Sequence, residues 1–125
     1  MVRAMKRSPL PKHTKRIVTK PVRTVNPERR SAEFVRCYGS EDRVAFVRNS
    51  PCVVCGKRPC ENVHIATGGM GRKGDAETIV PMCSADHHEL HSIGVRTFET
   101  KHSISLYLAA KYTQRTWDAY LRDSR

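Results

Sequence analysis

The stretch PMCSADHHELH at positions 81–91 crowds Cys83, Asp86, His87, His88 and His91 into three helical turns' worth of chain. Upstream, Cys52 and Cys55 form a Cys-x2-Cys pair. Such a pair chelates because its backbone turn points both thiolates at one ion, and a second half carried at a helix start completes a tetrahedron. This pattern constrains the fold more than any other feature, because the two ends of residues 52–86 must meet. The spacing predicts a structural zinc on Cys52, Cys55 and Cys83. A fourth ligand is expected at residue 86, which is Asp, and a carboxylate oxygen can serve. His87 or His88 is the alternative, and Cys60 ranks behind them.

A metal staple suits the composition. Hydrophobic residues make up 38% of the 125 positions, so one domain with a small core is expected. Small cores are commonly held by metals or disulfides. Five cysteines, an odd number with no secretory signal before them, argue against a disulfide framework and for a reduced, intracellular setting. No apolar run approaches the roughly 18 residues of a membrane span.

Charge narrows the partner. Lys and Arg number 23 and Asp and Glu 12, giving +11, with a pI near 9.9. A small domain this basic is expected to meet a polyanion, and no amphipathic membrane helix or lipidation signal is present, so nucleic acid leads. Over residues 1–26 the positive charges are broken up by Pro9, Pro11 and Pro21, which predicts an extended, largely disordered basic arm contacting phosphates.

Folded structure is expected from residue 27. Pro27 and Gly39 bracket one helix, with Phe34, Val35 and Tyr38 toward the core and Cys37 a small core residue. Ser40 caps a second helix that stops before Pro51. CVVCGKRPC reads as a knuckle, ENVHIA and ETIVPMC as short strands, and TGGMGRKGD as a loop. SADHHELHSI has helical composition with Gly94 ending it. Beyond it, RTFETKH predicts a short helix. A longer one follows, with Leu106, Ala109, Ala110, Tyr112, Trp117, Tyr120 and Leu121 recurring at helical spacing as core. The elements make an α+β domain.

Once a zinc takes its ligands, histidines remain. His87 and His91 are spaced i, i+4 and share a helix face, the spacing at which two imidazoles reach one metal. His88 is the alternative partner of His91 at i, i+3.

In order and spacing, CVVCGKRPCENVHIATGGMGRKGDAETIVPMCSADHHELHSIG resembles the HNH (ββα-metal) nucleases, more narrowly the phage and prophage Ref-like group. The resemblance is strong over 51–94 and looser outside it. It implies a zinc-stapled, treble-clef-like ββα-metal core at about 51–94, with flanking helices over 28–49 and 95–122. It further implies a metal-dependent DNA endonuclease that acts in the cytoplasm of a bacterial host. DNA is then the partner, and phage recombination or packaging proteins are further ones. By matching position, His64 is the general base, and His87 and His91 hold a catalytic Mg²⁺, Mn²⁺, Ni²⁺ or Zn²⁺. Cys52, Cys55 and Cys83 hold the structural zinc, with Asp86 where relatives carry Cys or His. Val63 stands where many relatives place another ligand, and Thr78 falls near their middle Asn, so two protein ligands are left for the catalytic ion. Lys57, Arg58, Arg72 and Lys73 surround this site in sequence and are expected to contact DNA phosphates. Gly68, Gly69, Gly71 and Gly74 allow a tight turn or a close approach to phosphate.

Overall fold

Asn26 opens the ordered chain by accepting the Glu28 amide at 3.0 Å, with Pro27 pre-set for the first helical turn. The structure, a computed structural model, describes residues 26–124 together with Pro21 and Thr24. The basic arm expected over 1–26 therefore lies almost wholly outside the described residues.

Helix α1 runs over Pro27–Tyr38 and ends at Gly39, whose φ of +84° suits glycine. Ser40 then accepts the Arg43 amide at 3.1 Å and starts α2, Glu41–Arg48, with Glu41 and Asp42 in its positive first turn. The knuckle follows. Its Cys60 amide donates to the Arg48 carbonyl at 2.8 Å, and its Val53 amide to the Pro81 carbonyl at 3.0 Å. These two bonds fasten the knuckle to α2 and to the sheet.

The sheet is one antiparallel pair, β1 (Glu61–His64) and β2 (Ile79–Met82), in the register Glu61 with Met82 and His64 with Ile79. The glycine-rich connection is folded on itself. Thr67 and Lys73 form an isolated bridge, and Gly68 donates to the Arg72 carbonyl at 2.8 Å. A Cβ on Gly74 would stand 2.1 Å from the Ala66 carbonyl oxygen, so only glycine lets the two limbs cross there. Helices α3 (Ser84–Ile93), α4 (Val95–His102) and α5 (Leu106–Asp123) complete the chain.

Every residue of β2 is buried, because β1 and the knuckle flank it while α5 packs on it. Val63, Val80, Met82, Leu90, Phe98, Leu106 and Ala110 form the core, with Cys52 and Cys60 at its margin. Val63 points inward, consistent with its lack of any ligand role. Cys37 is buried as expected, but Phe34 and Val35 are exposed. On α5, Leu106, Ala110 and Trp117 are buried as the periodicity predicts, whereas Tyr112, Tyr120 and Leu121 are exposed. The sheet is only four residues long, and the 18-residue helix overhangs it. No helix of the described residues is long and apolar enough to cross a membrane.

Candidate metal centres

The knuckle and the start of α3 meet at one point. Cys52, Cys55, Cys83 and Asp86 each bring a ligand atom within 4.8 Å of all the others. Cys83 is the N-cap residue of α3 and Asp86 lies in its first turn, so one helix end supplies two of the four groups. Cys83 Sγ stands 3.6 Å from Cys55 Sγ, and Asp86 Oδ2 stands 3.1 Å from Cys83 Sγ and 3.3 Å from Cys52 Sγ. Around a tetrahedral zinc, two thiolates at about 2.3 Å stand about 3.8 Å apart, and a thiolate and a carboxylate oxygen about 3.5 Å. These three edges are a few tenths of an ångström shorter and the remaining ones lie within 4.8 Å, so the four side chains could close on one ion of that size.

The electrostatics point the same way. The Asp86 amide favours the Cys83 thiolate, but burial, the Asp86 carboxylate and the Cys55 and Cys52 thiols outweigh it and push Cys83 up to about 12. Burial raises Asp86, yet the thiols of Cys83, Cys52 and Cys55 more than offset it and hold the carboxyl below its ordinary value. Four acidic groups gathered here repel one another as anions, and a divalent cation removes that repulsion.

The alternative ligands are placed elsewhere. Cys60 is buried, its Sγ donates to the Lys57 carbonyl at 3.2 Å, and burial above all pushes its thiol up to about 11. His88 is exposed. His87 is engaged instead with Glu61 and His91.

That second group is the other cluster. His87 and His91 sit one turn apart on α3, with their Nε2 atoms 2.8 Å apart and ring centroids 4.7 Å apart. The Nδ1 of His87 is hydrogen-bonded to the carboxylate of Glu61 at the start of β1. Glu61 escapes sequence reasoning, because only the register, which sets it beside Met82 and hence beside α3, brings it here.

His64 lies at the other end of β1. Glu61 and His64 are three residues apart, so the pleat turns them to opposite faces about 10 Å apart along the strand. Among the described residues no hydrogen bond or ring contact joins His64 to His87 or His91. Its Nε2 is 2.7 Å from the Cys37 carbonyl, which can only accept, so Nε2 carries the proton and Nδ1 keeps its lone pair. Burial is the main force holding the ring below its ordinary pKa. The Cys37 carbonyl opposes this, and the charges of Lys73, Arg36 and Arg43 add to it. The ring is therefore a neutral imidazole with one free acceptor nitrogen.

The four basic residues divide into two pairs. Arg72 and Lys73 are in the glycine loop, where Arg72 shares a shallow cleft with Arg29 and Arg36. Lys73 Nζ donates to the Tyr38 hydroxyl at 2.8 Å. Lys57 and Arg58 are exposed on the knuckle, at the opposite end of the hairpin.

The family described as a protein of unknown function (DUF968) matches residues 9–119, and the chain belongs to it. An Escherichia coli K12 protein, YdfU, described as uncharacterized, is 31% identical over 83 residues. The match covers 64% of this chain but 24% of YdfU, so the chain spans about a quarter of that relative's length. No solved structure matches the chain.

Proposed function

We propose that this member of the DUF968 family is a metal-dependent endonuclease that hydrolyses DNA phosphodiester bonds, of phage or prophage origin. In this reading the β1–β2 hairpin and α3 are a zinc-stapled ββα-metal (HNH) core. The observation that carries it is the His87–His91 pair, two facing Nε2 atoms 2.8 Å apart one turn beyond the Cys/Asp cluster. Two imidazoles one helical turn apart can turn their Nε2 atoms to a single ion.

The two centres divide the work by donor chemistry. Three thiols and a carboxylate suit zinc in a closed structural site. Its role is to hold α3 against the knuckle, so that the next turn of the helix is fixed. His87 and His91 hold the second ion, which is Mg²⁺, Mn²⁺, Ni²⁺ or Zn²⁺. Such an ion, held by these two residues, would supply positive charge to offset that building on the phosphate and the leaving 3′ oxygen. By resemblance His64 would take the proton of the attacking water at Nδ1, the nitrogen that its bond to Cys37 leaves free, although β1 sets it on the opposite face from His87 and about 10 Å along the strand. Arg72, Lys73, Lys57 and Arg58, with a chain charge of +11, draw in the polyanion and contact flanking phosphates. By resemblance the ends are 5′-phosphate and 3′-hydroxyl, and one such site cuts one strand.

The test is conversion of supercoiled plasmid to nicked circles with Mg²⁺, Mn²⁺ or Ni²⁺. Wild type, His64→Ala and His91→Ala are compared, each with its zinc content measured. Cutting by wild type alone is expected. Retarded DNA on a gel without cutting by any of the three would replace the nuclease by a zinc-stapled binding module. Equal cutting by all three would remove both histidines from the chemistry.

A further inference from the structure

We propose that Glu61 is a positioning residue for the second metal: it fixes the proton of His87 on Nδ1 and so aims the Nε2 lone pair at the ion. The inference rests on the reading of His87 and His91 as a metal pair, and assigns a residue that the metal-ligand spacing does not reveal.

A neutral imidazole has one protonated and one free nitrogen, and only the free one binds metal. Nothing in the helix chooses between them for His87, because the ring can turn about its own bond. The Glu61 carboxylate does choose. A carboxylate oxygen accepts, so the Nδ1 facing it donates, and in a neutral ring it is then Nε2 that keeps the lone pair. That same Nε2 is the atom facing His91 Nε2 at 2.8 Å. Carboxylate, imidazole and metal position then fall in the order by which outer partners commonly orient histidine ligands. The backbone makes this contact dependable. The register sets Glu61 opposite Met82, and Met82 leads through Cys83 directly into α3. Among the described residues the carboxylate makes this contact and no other hydrogen bond or ion pair. It is half exposed, so the contact adds little to the core.

The experiment is a Mn²⁺ titration of the full, zinc-loaded chain without DNA, followed by electron paramagnetic resonance, with Glu61→Ala, Glu61→Gln and His91→Ala beside wild type. Glu61→Ala is expected to weaken Mn²⁺ binding roughly 10–100-fold, the usual effect of losing an outer-shell partner. Glu61→Gln, whose amide oxygen can still accept from Nδ1, is expected to fall between. Zinc content and thermal melting should stay at wild-type values in both. Nitrogen-15 spectra of the histidine rings give a readout that a purely structural role would not move. His87 should carry its proton on Nδ1 in wild type and lose that preference in Glu61→Ala. Undiminished Mn²⁺ affinity in Glu61→Ala, or an Nε2-protonated His87 in wild type, overturns the role of Glu61 alone. Absence of Mn²⁺ binding by wild type, or binding that His91→Ala leaves unchanged, overturns the metal pair and this role with it.

Discussion

Replacing Asp86 by Ala tests the least usual member of the Cys/Asp cluster. Its Oδ2 lies within 3.3 Å of two thiols, so its loss removes one of four ligand atoms without touching the core. Structural zinc sites with four ligands bind with about 10–16 kcal/mol, or about 2.5–4 kcal/mol for an average ligand. A carboxylate contributes less than a thiolate, so the lower figure applies and zinc should bind roughly 100-fold more weakly. With free zinc well above both dissociation constants, that ratio removes about 2.7 kcal/mol of folding stability through linkage. In a domain of this size the melting temperature should then drop by about 10–20 °C. Competition against a chromogenic chelator measures the first quantity, and calorimetry at buffered free zinc the second. Asp86→Cys should retain tight binding. If Asp86→Ala holds zinc within threefold of wild type, the carboxylate is not a ligand, and the argument from donor spacing fails.

Three further outcomes are expected. His64 is held below its ordinary value of 6.5, so nicking should persist as pH falls through 6.5 and its acid limb should lie below that value; a limb centred above pH 7 would contradict the assignment. For stability the sign is the same: the unfolded ring takes up its proton first as pH falls, so the contribution of His64 is complete above 6.5 and diminishes below it, which urea titrations of wild type and His64→Gln at several pH values would reveal. Phe98 is fully buried in the core cluster that also holds Leu90 and Leu106, so Phe98→Ala should cost about 3–5 kcal/mol in urea denaturation, and a loss under about 1.5 would mean the core lies elsewhere. Gly74→Ala places a methyl group 2.1 Å from a carbonyl oxygen and should destabilise the domain by about 1–3 kcal/mol, with faster proteolysis confined to residues 67–74; an unchanged digestion pattern would show that the crossing is dispensable.

Legibility in the sequence followed the range of the interaction. The signals at Pro27, Gly39 and Ser40 act within a few residues, and α1 and α2 could be placed from them; the Asn26 cap came only with the structure. The Cys-x2-Cys turn and the i, i+4 histidines are also local, so the Cys/Asp cluster and the histidine pair were foreseeable as groups of residues. The fourth ligand was less so. Cys60 and Asp86 are both near enough in sequence, and the turn of Cys60 Sγ toward the Lys57 carbonyl is what separates them. Glu61 was invisible because strand register alone places it beside His87. The aromatic face of α5 failed for another reason. Helical periodicity shows which residues share a face, but not how far the neighbouring layer extends. Phe46, Trp117 and Tyr120 instead form a satellite cluster between α2 and α5, with Tyr120 left half in water.

The direct passage of β2 into α3 has a consequence for insertions and deletions. Met82 ends the strand, Cys83 caps the helix, and no loop lies between them. The thiols clamp this junction, and the histidines ride on the same helix beyond it. Each residue of an α-helix advances about 100° around its axis. One residue added or removed between Asp86 and His87 would therefore swing the histidine pair a quarter-turn out of phase with Glu61, while leaving the clamp intact. The segment works like a keyed shaft, in which side chains can be exchanged but the count of residues cannot.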